Sequence, residues 1–460
     1  MKKINLLFML ILTLIFNVKA QFIDGGSNHS VSLCNDSTVW TWGENIFGQL
    51  GDNSTVDKYV PVLVNGLNGV ISVQAGDNHS LALKNNGTVW AWGYNFYGQL
   101  GDNTTIQKTI PTQIIGLTGI TKIAAGYAHS LALKNDSSVW GWGMNTFSQL
   151  GDSTTTQRNF PVKVYGLTNV VSIATGSKHS LFLKNDSTIW ASGDNYYGEL
   201  GDSTTINRNT PVQVKGLSGI IAIAAAGLHS LALKNDGTVW AWGANFYGQL
   251  GDSTTTQHNY PVQVPELTNI IYITAGGDFI GGGHSIAIKN DSTVWTWGNN
   301  NKGQLGDTST INKNFPVKVN ALNGITTIAA GNNFSFALKN NIWCWGFNAS
   351  GQLGDNTTID KNYPIQITDF CNTTVSIEKN EVKESFTFYP NPASSMLNIK
   401  LSSVTKNTIC EIYTLNGQLM LKQTLQNIIT DIDIQNFSKG MYIIKLKKSG
   451  YVTVDRFVKE

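Results

Sequence analysis

The stretch Gly76-Asp77-Asn78-His79-Ser80-Leu81-Ala82-Leu83-Lys84-Asn85-Asn86-Gly87-Thr88-Val89-Trp90-Ala91-Trp92-Gly93 decides the fold, because the chain repeats it. His29, His79, His129, His179 and His229 recur every 50 residues, His284 follows after 55, and Phe334 takes the slot 50 residues later. Ser follows each of these seven residues. Eleven residues on stand Trp40, Trp90, Trp140, Trp190, Trp240 and Trp295, with Trp343 two residues early. A Gly-Gln-Leu-Gly-Asp-like run comes next, at 48–52, 98–102, 148–152, 198–202, 248–252, 303–307 and 351–355. Each copy closes on a Pro: Pro61, Pro111, Pro161, Pro211, Pro261, Pro316 and Pro364. A period of this length over seven adjoining copies marks a repeat architecture.

Within the second copy, Ile71–Ala75, Ser80–Leu83, Thr88–Trp92 and Pro111–Ile115 read as four strands, the last with its Pro at the start, where a missing N–H does least harm. Asn85-Asn86-Gly87 supplies the turn, since Asn and Gly tolerate positive φ. One such sheet cannot bury both faces alone, but stacking on its neighbours around a ring does so. The expected fold is therefore all-β: a seven-bladed β-propeller over residues 21–371. The 13 Trp all lie between Trp40 and Trp345. Each buries roughly 150–250 Å², so at about 25 cal/mol per Å² they carry much of the core energy.

Composition agrees. The chain has 460 residues, 46 Gly and 10% aromatics, but only 13% charged residues, against about one quarter in an ordinary domain. That excludes a coiled coil, and the aromatics with a net charge of +2 exclude a disordered chain. Residues 21–375 hold 18 Lys and Arg against 22 Asp and Glu, and residues 376–460 hold 11 against 8. Neither balance gives the basic field that a nucleic-acid partner normally needs.

The runs Ala125 to Leu133 and Val89 to Asp102 resemble the repeat of the regulator of chromosome condensation family, and the likeness covers about residues 21–370. It implies a seven-bladed propeller. The family's eukaryotic founder exchanges nucleotide on the Ran GTPase and binds chromatin, and bacterial members include secreted proteins, among them a β-lactamase inhibitor. Exchange activity is not expected of an exported chain, which meets neither the GTPase nor chromatin.

Both ends speak for export. Lys2 and Lys3 precede the apolar run Ile4 to Phe16, and Val18-Lys19-Ala20 offers a cleavage site, so residues 1–20 read as a signal peptide. Residues 372–384 are polar and charged and read as a linker. Residues 385–460 resemble the C-terminal sorting domain of the type IX secretion system of Bacteroidota, through Pro390, Asn391 and Pro392, through Gly417 in an Asn-Gly turn, and through Gly440 and Tyr442 in a late strand. The resemblance implies a small β-sandwich, the type IX machinery as a partner, and delivery to the cell surface or the medium. No stretch after the signal is long and apolar enough to span a bilayer as a helix.

The chemistry of the repeat is poor in catalytic signals. Six His-Ser pairs spread around a ring cannot converge on one substrate, and a hydrolytic centre needs one asymmetric set. They are expected to bridge strands or blades. His258, outside the slot, is expected at the surface. No Cys-x-x-Cys or paired His calls for a metal, no Gly-rich loop calls for a nucleotide, and no cofactor is expected. In an oxidising compartment, Cys371 is expected to pair with Cys34 or Cys344 and to staple blade seven to blade one, leaving Cys410 a buried thiol. Asp-Ser-Thr is similar to the O-glycosylation acceptor of exported Bacteroidota proteins, which makes Ser37, Ser153, Ser187, Ser203, Ser253 and Ser292 candidate acceptors.

Positions where the copies disagree are free of the demands of the blade. The pair before each Gly-Gln-Leu-Gly carries Phe47, Phe96, Tyr97, Phe147, Tyr196, Tyr197, Phe246 and Tyr247 in blades one to five, but Asn301-Lys302 and Ala349-Ser350 in blades six and seven. Blade six also carries a Gly-rich insertion near Gly276 to Gly283 that includes Phe279. These aromatics form the candidate binding patch for a protein or glycan, or else pack between blades. Ser192 replaces a Trp and is expected to thin the core of blade four. The favoured function is a non-enzymatic binding scaffold. An enzyme acting on surface polysaccharide would need unique loop acids in one cleft, for which Glu44, Asp194 and Glu199 are the candidates.

Overall fold

The computed structural model describes residues 20–367, 371, 386–401, 408–414, 418–448 and 451–460. The 372–384 linker, Gly417 and the expected signal peptide before Ala20 lie outside these residues. The chain divides into two compact units, Met1–Thr373 and Thr374–Glu460.

The first unit is seven antiparallel four-stranded sheets, each made of four consecutive strands. In the second blade these are Val70–Ala75, His79–Lys84, Val89–Gly93 and Lys108–Gln113. The first strands of all seven sheets line a central channel of about 340 Å³. The second and third strands are buried almost throughout, because neighbouring blades cover both of their faces. The fourth strand is a half-exposed edge. Among the described residues there is no helix.

Pro111 is not at the start of its strand but fourth in it. Pairing passes from Ala91↔Thr112 directly to Gly93↔Lys108. This bulge leaves Pro111 outside the ladder, on an edge, so its missing N–H costs nothing.

A four-residue relay joins successive blades. His29 Nε2 meets Ser80 Oγ at 2.9 Å, and that hydroxyl donates to the Gln49 carbonyl at 2.9 Å. Since the hydroxyl proton is committed to the carbonyl, the imidazole must be the Nε2–H tautomer. Trp92 Nε1–H donates to the same carbonyl. The relay recurs from His79 to Ser130, His129 to Ser180, His179 to Ser230, His229 to Ser285 and His284 to Ser335. All six rings are buried, and burial pushes their pKa down to about 3 for His79, His129, His179 and His284, and about 4 for His29 and His229. In the first four blades the Gly three residues before the ring (Gly26, Gly76, Gly126 and Gly176) makes room for it, and Gly276 does so for His284. A Cβ on Gly76 would lie 2.2 Å from His79 Cε1 and 2.7 Å from the Gly126 carbonyl. Gly76→Ala is expected to lower the unfolding free energy by about 2–3 kcal/mol; an unmoved denaturant midpoint would show that the joint yields freely.

At the closing joint Phe334 fills the His slot, stacked edge-on to Phe336. Here Ser30 Oγ and Trp42 Nε1 both donate to the Gln352 carbonyl of blade seven. Cys34 and Cys371 form a disulfide, with Cα atoms 5.5 Å apart. Cys344 stays a buried thiol donating to the Leu353 carbonyl. A second set of links runs round the rim, where Asn53, Asn103, Ser153, Ser203, Ser253, Thr308 and Asn356 each donate a backbone N–H to the outer strand of the next blade, the last to Tyr59 of blade one.

Blade four does not have the thinner core expected of it. Ser192 is buried, but Phe182 stands where Ala82, Ala132 and Ala232 stand in other blades, and its fully buried ring packs with Val164 and Leu167.

The second unit packs the sheet Thr387–Tyr389, Met396–Lys400, Ile429–Asp433 with the sheet of Leu419–Leu425, Thr408–Thr414, Gly440–Lys448 and Tyr451–Lys459 around one apolar core, a small β-sandwich. Pro390 and Pro392 follow cis peptide bonds. Between them, Asn391 Oδ1 accepts the Val458 N–H and ties the opening of the domain to its end. Tyr442 stacks on Phe457 and donates its hydroxyl to the Ser438 carbonyl. Gly440 has φ of 151°, a conformation that favours glycine. Cys410 is buried and unpaired.

Candidate binding face

Strand direction places the site. In a four-stranded meander, the turn between strands one and two and the loop between strands three and four emerge on the same side. Every candidate aromatic lies in one of these two segments, so all nine share one face of the ring.

The long loop is built the same way in each blade. Asn95 Oδ1 accepts the Leu100 N–H, and its Nδ2 donates to Asp102 and to the Thr104 and Ile106 carbonyls. Gln99 Oε1 accepts the Tyr97 N–H at 3.0 Å. This frame turns the first aromatic of each pair outward and lays the second along the blade. Phe96 is 62% exposed, Tyr196 68% and Phe246 48%, while Phe47, Tyr97, Phe147, Tyr197 and Tyr247 are half-buried. The two expectations for these rings therefore divide between the two positions.

The rings form two clusters. Phe47 lies 4.5 Å from Tyr94, which is followed by Phe96 and Tyr97. Tyr196, Tyr197 and Phe246 form a T-shaped series at 4.8 and 5.1 Å. Tyr94 was legible by the same signal as the others, since the residue after each Trp-x-Trp-Gly, or Trp-x-Ser-Gly in blade four, also varies: Glu44, Tyr94, Met144, Asp194, Ala244, Asn299 and Phe347. Outward apolar residues also line the edge strands, such as Ile110, Phe160, Tyr260 and Phe315. They recur in nearly every blade and mark the repeat rather than a site.

The blade-six insertion lengthens the hairpin Ile270–Gly277 to Gly283–Lys289. Its Asp278 Oδ1 accepts the Ile280 and Gly282 N–H groups and fixes the loop. Phe279 reaches across the mouth of the channel to within 5.0 Å of Tyr127 in blade three. A cleft of about 370 Å³ opens beside it, lined by Phe147, Lys178, Asp194, Tyr196, Tyr197, Asn207, Leu228, Phe279 and Ile280.

The three loop acids do not converge. Glu44, in blade one, accepts a hydrogen bond from Gln49 Nε2 and has its pKa raised by burial, aided by the charge of Asp57. Asp194 and Glu199 belong to blade four. Glu199 replaces the Gln of the other six blades, and its Oε2 accepts the Tyr197 N–H at 2.9 Å. Its Oε1 is buried with no partner among the described residues, and burial, with the charge of Asp194, pushes its pKa up to about 8. In the channel, burial raises Asp24 and Asp77 to about 7. Among the described residues no group of three or more His, Cys, Asp or Glu could hold a metal ion.

His258 is half-buried and pairs with Asp252 at 3.0 Å, in the place of Arg158 and Arg208 in earlier blades. The candidate acceptor serines fall into two sets. Ser37, Ser187 and Ser292 sit in turns on the face opposite the aromatics, and Ser153, Ser203 and Ser253 sit in the long loops, where they are exposed. All six have φ between 63° and 68°. The preceding Asp accepts the N–H and hydroxyl of the Thr that follows, closing the turn.

The RCC1-like domain model matches residues 10–280, and models of the regulator of chromosome condensation repeat match 272–304, 291–338 and 339–378. The secretion system C-terminal sorting domain matches 387–460, which indicates export to the cell surface or the medium through the type IX system. Among solved structures, human WBSCR16 is similar at a TM-score of 0.65 and 22% identity, over 72% of this chain and 95% of that one. Yeast RCC1 (Prp20), solved with Kap60, gives 0.63 and 22%, over 77% and 84%. A curated relative, the funoran endo-beta-hydrolase of Wenyingzhuangia aestuarii, is 31% identical over 86 residues; the match spans 18% of this chain and 12% of that protein. No helix among the described residues is long and apolar enough to cross a membrane.

Proposed function

The chain belongs to the family of the RCC1-like domain, and from that premise we propose that it is an exported, non-enzymatic binding protein whose propeller holds a protein or glycan partner on its aromatic face. The observation that carries this reading is the one-sidedness of the aromatics. At the pair before Gly-Gln-Leu-Gly, five successive blades present rings on the same face, and the two blades after them carry Asn301, Lys302, Ala349 and Ser350 there. Exposed rings offer large contact area with little rotamer entropy to lose, which is why they dominate binding hot spots. The repeat itself needs none of them, since blades six and seven fold without them.

A second reading, an enzyme acting on polysaccharide, is favoured by the pairing of Asp194 with a Glu199 that burial keeps protonated at neutral pH. The short likeness to a funoran hydrolase points the same way. Against it stands the position of Glu199, which is fully buried with one oxygen occupied by the Tyr197 N–H. A general acid must come within hydrogen-bond reach of the atom it protonates.

The test uses the mature chain on arrays of cell-surface proteins and glycans. Tyr97→Ala and Tyr197→Ala are each expected to weaken binding about tenfold or more, as truncation of an aromatic hot spot does. Unchanged binding by both would remove the aromatic face from the account. Release of reducing sugar from a bound glycan, lost in Glu199→Gln, would establish the enzyme instead.

A further inference from the structure

The cleft beside the blade-six insertion contains an unsatisfied charge. Asp194 is only 7% exposed, yet among the described residues its carboxylate accepts no hydrogen bond and forms no ion pair. Its oxygens are not sealed inside the blade but open onto the cleft, where a ligand's donors can reach them. The other cleft groups do not supply a donor: Lys178 Nζ sits instead over the Phe147 ring at 4.5 Å, and Asn207, which accepts the Asn195 N–H on Oδ1, gives Asp194 no hydrogen bond from Nδ2 among the described residues. Behind Asp194, the Glu199 side chain also leaves one buried oxygen without a partner among the described residues.

The cleft therefore wants a ligand with hydrogen-bond donors. Its charges narrow the choice. A cationic ligand would meet Lys178, and an anionic one would meet Asp194. The walls add aromatic surface on two sides, from Tyr197 in blade four and Phe279 in the insertion. A neutral molecule with several hydroxyls and an apolar face suits all three constraints, and the volume falls in the range of small-molecule sites. We propose that this cleft is a saccharide subsite that takes a neutral pyranose unit, with hydroxyls donated to Asp194 and accepted from Lys178, and the C–H face of the sugar laid on Tyr197 or Phe279. The inference rests on the binding function proposed above and assigns it a ligand class at one place on the face.

Glu199 does not touch the ligand. It is a positioning residue that holds the Tyr197 backbone, and the Gln of the other blades performs the same task. Glu199→Gln is expected to leave saccharide affinity within about twofold, whereas Asp194→Asn and Phe279→Ala are each expected to lower it about tenfold or more. No fold-building bond is lost in Asp194→Asn, so its melting temperature is expected to match that of the parent chain.

The experiment is calorimetric titration of the full mature chain with neutral glucan, mannan and galactan hexasaccharides, and with sulfated and uronate-bearing counterparts. Binding of a neutral hexasaccharide, weakened by Asp194→Asn and Phe279→Ala but not by Phe160→Ala on the edge strand of blade three, supports the subsite. Binding of charged sugars alone, binding indifferent to Asp194→Asn, or no binding of any hexasaccharide at millimolar concentration overturns it. Loss of partner binding by Tyr97→Ala with the cleft variants unaffected would leave the aromatic face standing and remove only the subsite.

Discussion

Acidification from pH 6.5 to 4.5 is expected to destabilise the propeller by roughly 6 kcal/mol. The relay of six buried imidazoles is the cause. Their folded pKa values lie near 3 to 4, against about 6.5 in the unfolded chain. Between those values the unfolded state binds protons that the native state refuses. The stability each His contributes is complete above pH 6.5 and is lost as pH falls towards 4. Three carboxyls act in the opposite sense. Asp24 and Asp77 titrate near 7 and Glu199 near 8 in the folded state, so the native chain holds their protons where the unfolded chain has released them. Their contribution is present at low pH and is lost as pH rises from about 4 to 7 or 8. At pH 5 the balance is six against three, about three extra protons on the unfolded chain, and the two sets cancel near pH 6.5, where stability is expected to peak. Urea midpoints measured across pH 4.5 to 8 report this directly. A flat profile below pH 6.5 would mean that the imidazoles are hydrated in the native ring.

Breaking the Cys34–Cys371 bridge is expected to be the next largest loss. The two residues are 337 positions apart. On the chain-entropy account, a loop of that length restricts the unfolded chain by about 5–6 kcal/mol. Cys371→Ser, or reduction of the parent chain, is expected to lower the unfolding free energy by most of that amount while leaving far-ultraviolet circular dichroism unchanged. The blades themselves keep their sheets, and the Trp42 and Ser30 bonds to Gln352 still hold the joint. A midpoint that does not move on reduction would place closure entirely in those non-covalent contacts.

The repeat made most of this fold legible. A period of 50 residues with His, Trp, Gly-Gln-Leu-Gly-Asp and Pro in constant order leaves few arrangements other than a ring. The position of Pro111 was less legible, because a bulge skips residues without changing the hydrophobic alternation that marks a strand. Blade four misled for a related reason. The loss of the Trp at Ser192 is visible in one strand, while the compensating Phe182 sits on the strand beside it, and only the register Phe182↔Trp190 and Ser180↔Ser192 shows that they serve one core.

The candidate face was legible in its members and not in their grouping. Comparing copies picked out Phe96, Tyr196 and Phe279, since variation between repeats frees a residue from the blade. It could not show that Phe279 meets Tyr127 from the far side of the channel, a contact across 152 positions. Nor could it show that Glu199 is fully buried with one oxygen held by the Tyr197 N–H, because a Glu in place of Gln does not reveal its exposure. The choice of Cys34 over Cys344 was likewise open in the sequence, which does not say which of the two lies beside Cys371.

Each sheet is made of four consecutive strands, and this has a consequence for a chain that must cross membranes before it works. Contact order within a blade is low, and low contact order favours rapid folding. A blade needs only its own fifty or so residues and the face of the blade before it. The propeller can therefore assemble vectorially, unit upon unit, as the polypeptide emerges. The rim bond to Tyr59, the Gln352 acceptor and Cys371 all arrive with the seventh unit. Until then the ring is an open arc with two exposed ends, and it becomes a closed, oxidised body in a single terminal event.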